Sequence, residues 1–405
     1  MEGSQGKVIT PDQWPDGTGM IYFGMSPWAG MWKSRHQLMS RFSRSMPVLY
    51  VQPWVGLRSL RSQMSGISRI FADLGRPLLE KHEPNVHVFN SPAYFPVSRS
   101  PSLAPVTQRM WTGAVRRAAR SIGITRPIVW VSRPETGFVV GQMNEQLSIY
   151  HVVDEYAGYT GAGGQARAKL AGIEAVVLDS VDLVIVASPE LERAKQGRGR
   201  DIVVLENGVE PGEYADARRA ELEPDDLADV SKPRIGYSGL IGKRLDLELI
   251  REIALRRPDC SVVLIGKVDA RECEEGLAAL ESLPNVYLLG EKPATEVARY
   301  VVGFDIGLLP YAINLETQHI SPIKMYEYWA AGKPVVATSI PAAQRNRSAV
   351  NVAESHDEFH SMIDRILDAP NQEDPDRLIE LAGRNSWQSR VDRVTAELGS
   401  RIGDS

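Results

Sequence analysis

Short apolar runs alternate along this chain with longer stretches whose apolar positions recur every three or four residues. The short runs stand at Met20–Met25, Val48–Val51, Val86–Phe89, Ile128–Ser132, Ser148–Val153, Leu183–Ala187 and Ile202–Leu205. A second series follows at Arg234–Tyr237, Val262–Ile265, Val286–Leu289, Ile306–Leu309 and Val335–Ala337. Nearly continuous apolar character over so few residues predicts strands buried on both faces. Helical periodicity lies between them, up to Arg44, over Pro105–Ser121 and Ala166–Ser180, from about Leu245, and near 270–282 and 294–302. Two more helical stretches, 356–368 and 375–398, close the chain. Such alternation predicts an α/β protein with two doubly wound parallel sheets. The expected division is a first domain over 1–210, an acidic linker over 211–232, a second domain over 233–375, and a terminal helix over 376–405. Met1 to Thr18 reads as a loose leader.

The most informative stretch is Ile320 to Thr338. Ser321 is a good N-cap, and Pro322 suits the first helical position, where a missing N–H costs nothing. A short helix then runs to about Ala331, Gly332 ends it in the left-handed conformation, and Pro334 blocks its continuation. A helix start presents free N–H groups and the positive end of its dipole, which suits a phosphate. Ile323 and Lys324 lie in that first turn, and Glu327 lies one turn on along the same face. Phosphates at the helix start and ribose hydroxyls on the carboxylate would suit a nucleoside diphosphate. An exposed Lys324–Glu327 ion pair on an ordinary αβ unit fits the same residues.

Composition adds two constraints. The chain has 405 residues, 43% hydrophobic and 24% charged, as in ordinary globular proteins. Cys260 and Cys273 form no metal-type spacing, no apolar run approaches the roughly 20 residues of a membrane span, and the N-terminus lacks a secretory segment. The expected location is therefore the cytoplasm. Charge is unevenly spread: residues 1–150 hold 17 Lys and Arg against 8 Asp and Glu, and the remainder holds 29 against 43. From Gly17 to Ala72 there is no acidic residue, against seven basic ones. A basic first half predicts an anionic partner for that half. Trp54, Leu57, Leu60, Met64, Ile67 and Phe71 recur at helical spacing, with Arg58, Arg61 and Arg69 elsewhere on the wheel. That pattern fits a basic helix on the inner face of the plasma membrane, and equally a helix that covers its own sheet. Nothing in the sequence points to nucleic acid.

Two further places carry chemistry. The strand ending at Val153 runs into Asp154-Glu155 and a loop with Gly158, Gly161, Gly163 and Gly164. Asp154 is the candidate base, or else a capping or loop residue. In the second half, Ser238-Gly239-Leu240-Ile241-Gly242-Lys243-Arg244 follows a strand, with glycines that let backbone approach a phosphate and two cations to neutralise it. In the first half, the strand ending at Met25 meets Ser26-Pro27-Trp28-Ala29-Gly30 and a helix with Arg35 and His36. There is no G-x-G-x-x-G fingerprint at that turn.

Taken in order, these motifs resemble the family-4-like (group 1) bacterial glycosyltransferases of the GT-B fold. Glu206-Asn207-Gly208-Val209 resembles the segment that closes their N-terminal domain, and Tyr237-Ser238-Gly239 resembles their phosphate loop. Asn285 to Lys292 is similar to the strand and loop that flank the nucleotide base, and Asp305 to Pro310 to the strand before the donor site. Ser321 to Val336 is similar to the donor-binding helix, and Trp387 to the start of a terminal helix that crosses back to the first domain. The resemblance implies two Rossmann-like domains facing a cleft. It implies transfer of a sugar from a nucleotide-diphosphate sugar to a hydroxyl acceptor, which would be a glycan, a lipid-linked acceptor or a small molecule. The donor would be held by Ser238, Gly239, Lys243, Arg244, Gly290, Lys292, Ser321, Ile323, Lys324 and Glu327, with ribose on Glu327. The acceptor side would use Trp28, Arg35 and His36. No metal and no cofactor besides the donor substrate is expected.

One departure stands out. Family-4 enzymes commonly pair two glutamates eight positions apart. His319 stands where the first would be, and Glu316 lies three residues further back. The stretch instead resembles a variant subgroup with Ser-Pro-x-Lys before the glutamate, associated with surface polysaccharide and glycolipid assembly. Stereochemistry is thereby left open. An inverting reaction needs a base such as Asp154, and a retaining one does not. A sugar-nucleotide 2-epimerase and a non-catalytic sugar-nucleotide or glycan-binding protein share the fold and are the competing readings.

Overall fold

Both halves of the chain are built on sheets whose central strands are buried and whose edge strands are partly exposed. The computed structural model describes residues 14–29, 32–54, 73, 75–93, 96–98, 100, 102–155, 164–197, 201–220, 222–271, 273–369 and 374–403. The chain divides into two compact units, one of Met1–Leu205 with Arg390–Ser405 and one of Glu206–Ser389. The basic helical pattern at 54–71 lies, apart from Trp54, outside the described residues. Among the described residues, no helix is long and apolar enough to cross a membrane.

The first unit contains β1 (Thr18–Phe23), β2 (Val48–Val51), β3 (Leu79–Glu83), β4 (Val86–Phe89), β5 (Arg126–Val131), β6 (Leu147–Val152), β7 (Leu183–Val186) and β8 (Asp201–Val204). They form one sheet in the order β3-β4-β2-β1-β5-β6-β7-β8, parallel except for the β3–β4 pair. Winding starts at β1, goes outward through β2 to β4, then reverses through β5. The crevice where the order reverses lies outside the carboxyl ends of β1 and β5, the place where such sheets receive ligands. Strand β3 has no apolar pattern (Leu-Glu-Lys-His-Glu) and was not expected. It exists because β4 offers a free edge, on which a charged strand can lie half in water.

The second unit contains β9 (Arg234–Ser238), β10 (Ser261–Ile265), β11 (Val286–Gly290), β12 (Ile306–Leu309), β13 (Val335–Thr338) and β14 (Asn351–Ala353). Their order is β11-β10-β9-β12-β13-β14, and every pair is parallel. The reversal falls between β9 and β12, so the Gly239 loop and the segment before Ile323 both emerge beside the crevice.

Two sequence expectations are corrected here. Residues 211–232 are not an irregular linker. Pro211–Ala220 and Asp225–Ala228 are helices, and Tyr214, Ala217, Leu227 and Val230 are buried in the second unit's core. Their acidic residues lie on the outer side of an amphipathic segment, which obscured the apolar positions facing inward. The helical pattern at 375–398 is two helices, Pro375–Arg384 and Trp387–Gly403. The break accommodates Val209, whose N–H donates to the Asn385 carbonyl at 3.2 Å and whose carbonyl accepts from Trp387 at 2.9 Å. A Cβ on Gly208 would stand 2.9 Å from the Asn385 oxygen, so the close approach requires glycine there.

Candidate functional site

The loop after β9 is shaped by two glycines. Gly239 has φ +155° and Gly266, directly after β10, has φ +140°. A Cβ on Gly266 would lie 1.8 Å from the Gly239 carbonyl oxygen, so only glycine lets these two backbones meet. The Gly239 N–H donates to Ile265 at 2.8 Å, and Gly266 donates to Gly290 at 2.8 Å. The three strand ends β9, β10 and β11 are thereby tied into one backbone ledge. Ser238 is buried, and its N–H donates to the Tyr328 hydroxyl at 3.1 Å.

The helix over this ledge runs Ile323–Ala330. Its start differs from expectation: Pro322 is the N-cap, and no side chain caps the helix. Ser321 is diverted because Asn207 takes it. The Ser321 Oγ accepts from the Asn207 N–H at 3.0 Å, and the Asn207 amide donates to the Ser321 carbonyl at 2.6 Å. The first-turn N–H groups are consequently left to solvent or a ligand. The far end is as expected. Gly332 (φ +69°) donates to Trp329 at 2.9 Å and Lys333 to Tyr328 at 2.9 Å, a Schellman motif.

Lys324 reaches over the ledge, with its Cε 3.4 Å from where a Gly239 Cβ would be. Its Nζ contacts Glu327 Oε2 at 2.8 Å, in an ion pair largely covered on both sides. Tyr214 is buried beside the same carboxylate, and burial followed by the Glu327 charge holds its phenol well above its ordinary range. Arg244, in the loop after β9, donates through Nε to Glu316 at 3.1 Å, linking this loop to the segment after β12. Thus Lys324 and Arg244 are each paired with a carboxylate of the same unit. His319 is half-buried in the short turn Thr317–His319, and its Nδ1 lies 3.0 Å from the Leu315 carbonyl.

The remaining donor-side residues are more peripheral. Lys243 is exposed. Gly290 has φ +73° with open space at its Cβ position. Lys292 is anchored by Asp226 and lies 5.1 Å over the Tyr300 ring, while Tyr300 donates to Asp226 at 2.7 Å. Gly266, Tyr214 and Tyr328 escaped the sequence reading. A glycine closing the second strand was a visible signal for the first, whereas the two tyrosines looked like ordinary core.

In the first unit, Trp28, Arg35 and His36 come together at the carboxyl end of β1. His36 is 1% exposed, and its Nδ1 accepts the Lys33 N–H at 2.9 Å, leaving Nε2 to donate toward Pro27. Burial, and then the Arg35 charge, lowers its pKa to about 4, so the ring is neutral at pH 7. Trp28 packs edge-on against His36 and Tyr50 at 5.2 and 5.0 Å. Arg35 donates to Ser26 Oγ, and Tyr50 donates to the Ser26 carbonyl at 2.7 Å. Asp154 is half-buried in a bend just past β6. Its neighbour Glu155 pairs with the buried Lys195 at 3.0 Å, which also pairs with Glu174 at 2.9 Å; Tyr150 donates to Glu174 at 2.9 Å. Gly158, Gly161 and Gly163 lie outside the described residues.

Residues 232–369 match the family model described as Glycosyl transferases group 1. A Bacillus subtilis (strain 168) protein named "Putative teichuronic acid biosynthesis glycosyltransferase TuaH" is 32% identical over 183 residues. That match covers 44% of this chain and 46% of the relative, so the chain spans about half the length of the curated relative it matches. Among solved structures, Anabaena HepE in complex with UDP and glucose has a TM-score of 0.65 at 14% identity, covering 94% of this chain and 99% of its own. Sucrose-phosphate synthase from Thermosynechococcus elongatus has a TM-score of 0.66 at 16% identity, with coverage of 93% and 97%. At such identities the likeness concerns fold. Residues 232–369 thus carry the signature of the group 1 glycosyltransferase family, on a chain whose fold is GT-B.

Proposed function

We propose that the chain transfers a sugar from a nucleotide-diphosphate sugar to a hydroxyl acceptor. The observation that carries this reading is the second unit's switch point. There a glycine ledge, an open helix start, the Lys324 cation and the Glu327 carboxylate lie within one ligand's reach. The diphosphate would rest on the Gly239 ledge and the Ile323–Lys324 N–H groups, the ribose on Glu327, and the base beside Gly290 and Lys292. As the acceptor oxygen bonds to the anomeric carbon, the bond to the diphosphate breaks, and negative charge grows on the leaving phosphate. Lys324 and Arg244 are placed to stabilise it, so the reading requires no metal. To do so, each must loosen its bond to Glu327 or Glu316.

The first unit would take the acceptor through Trp28, Arg35 and His36. Asp154 would accept the hydroxyl proton in an inverting course, or only orient the acceptor in a retaining one. The name of the B. subtilis relative supports a surface polysaccharide as the product class. Calorimetric titration of UDP-, GDP-, dTDP-, CDP- and ADP-sugars tests the donor assignment. One of them should bind wild type and bind Glu327→Ala at least tenfold more weakly. Equal affinity in the variant removes Glu327 from the site.

A further inference from the structure

Among the described residues, buried cations have acidic partners or multiple acceptors, with one exception. Lys195 is held by Glu155 and Glu174, Arg234 by Glu223, and Arg41 by the Gln37 carbonyl and amide oxygens. Arg35 is 9% exposed and has no carboxylate partner among the described residues. Its side-chain partners are neutral hydroxyls, Ser26 Oγ and the Tyr50 phenol, and its Nε is buried with no hydrogen-bond partner. The sequence leaves little to supply one, because no acidic residue occurs from Gly17 to Ala72. A buried guanidinium without a counter-charge is costly, and such a group persists when something else compensates it.

The surroundings point the same way. Arg35 is the second residue of the nine-residue helix Ser34–Phe42, whose first turn contains no acid. A cation at a helix start is opposed by the dipole, which favours an anion there. Burial, and then the Arg35 charge, also pulls the Lys33 ammonium down. Helix dipole, Arg35 and Lys33 therefore lack the same thing, a negative charge. Position agrees as well: the helix follows β1, so its start borders the crevice between β1 and β5. Trp28, buried against Tyr50, supplies an apolar wall next to the cation.

We propose that Arg35 is the centre of an oxyanion subsite in the first unit, and that the acceptor it receives carries a phosphate or carboxylate near the reacting hydroxyl. The subsite stands on Arg35's own surroundings. Only its connection to an acceptor rests on the transferase reading. A planar guanidinium whose Nε has no partner, and whose other partners are exchangeable hydroxyls, suits a two-point contact with either group. A phosphate would come from a phosphorylated carrier or sugar, a carboxylate from a uronic acid.

Thermal unfolding of the full chain tests this, with inorganic phosphate or glucuronate replacing chloride at constant ionic strength. A saturating nucleoside diphosphate keeps the second unit's site filled. General salting effects act on every variant alike, so the readout is the difference between wild type and Arg35→Met. Wild type should gain a few degrees at about 100 times Kd, and Arg35→Met should gain none beyond the general effect. Arg35→Lys should keep a weaker response. A phosphate-only response assigns a phosphorylated acceptor, and a glucuronate-only response a uronate. Absence of any Arg35-dependent response overturns the subsite, and if Arg35→Met fails to fold, a wild-type response no larger than that of Arg35→Lys overturns it. A responding anion with a silent panel of nucleoside diphosphates would instead overturn the donor reading and leave the subsite standing.

Discussion

The two units wind their sheets alike and reverse them at the same place, yet they treat that place in opposite ways. In the second unit the crevice is lined with glycine backbone, and two cations beside it already have carboxylates, Lys324 with Glu327 and Arg244 with Glu316. In the first unit the crevice is walled with Trp28, His36 and Tyr50, and Arg35 is buried without an acid among the described residues. A site that is neutral when empty can release a highly charged product, because its own carboxylates take back the cations. A site built on an uncompensated cation is poised to keep an anion. The difference suits a donor that leaves as a diphosphate from one unit and an acceptor retained by the other.

The comparison can be broken most severely at the glycines. Gly266→Ala should destabilise the second unit by about 3 kcal/mol or more and abolish any donor response, since its Cβ would overlap the Gly239 oxygen. Gly290→Ala, at φ +73° but with open space, should cost about 1 kcal/mol and leave the response intact. Denaturant unfolding with and without nucleotide reads both. Next in size, Glu327→Ala should weaken donor binding about ten- to a hundredfold, the equivalent of about 1.4–2.7 kcal/mol.

Acid should separate the units further. His36 and the fully buried His151 both have pKa values lowered to about 4, mainly by burial. Their native state favours the neutral ring, so their stabilisation is complete above the unfolded value near 6.5 and is lost as pH falls from there toward 4. Each buried ring should contribute on the order of 1 kcal/mol per pH unit in that window. His356 is the reverse case. It lies 3.0 Å from both Asp246 and Glu252, and its pKa is raised. Its stabilisation is complete below about 6.5 and is lost as pH rises through the folded value, by less than about 1 kcal/mol for so exposed a pair. Unfolding of His151→Leu and His356→Gln between pH 4 and 8 should flatten the acid and neutral arms respectively. The smallest effect is expected of Glu316→Gln. Freeing Arg244 from its carboxylate should tighten nucleoside diphosphate binding about threefold, a change of about 0.7 kcal/mol.

Much of this architecture could be read from residue patterns because parallel strands are buried on both faces and announce themselves as apolar runs. The switch-point glycine Gly239 and the Gly332 helix stop were legible because their backbone conformations exclude other residues. Strand β3 was not, since a charged edge strand owes its existence to its neighbour. The helices at 211–228 were hidden by acidic outer faces, and the role of Ser321 by Asn207, which is 114 positions away in sequence. Arg35 was visible as a cation near a strand end. Its lack of an acid could be suspected from composition, but its burial required the fold.

The most direct test of the account is a thermal-shift panel of UDP-, GDP-, dTDP-, CDP- and ADP-sugars on wild type and Glu327→Ala. Saturation at 100 times Kd stabilises a protein by about 2.7 kcal/mol, enough for a shift of a few degrees. The account predicts that one nucleotide class shifts wild type and that the shift largely disappears in Glu327→Ala. No shift with any nucleotide sugar, or an equal shift in the variant, would contradict it.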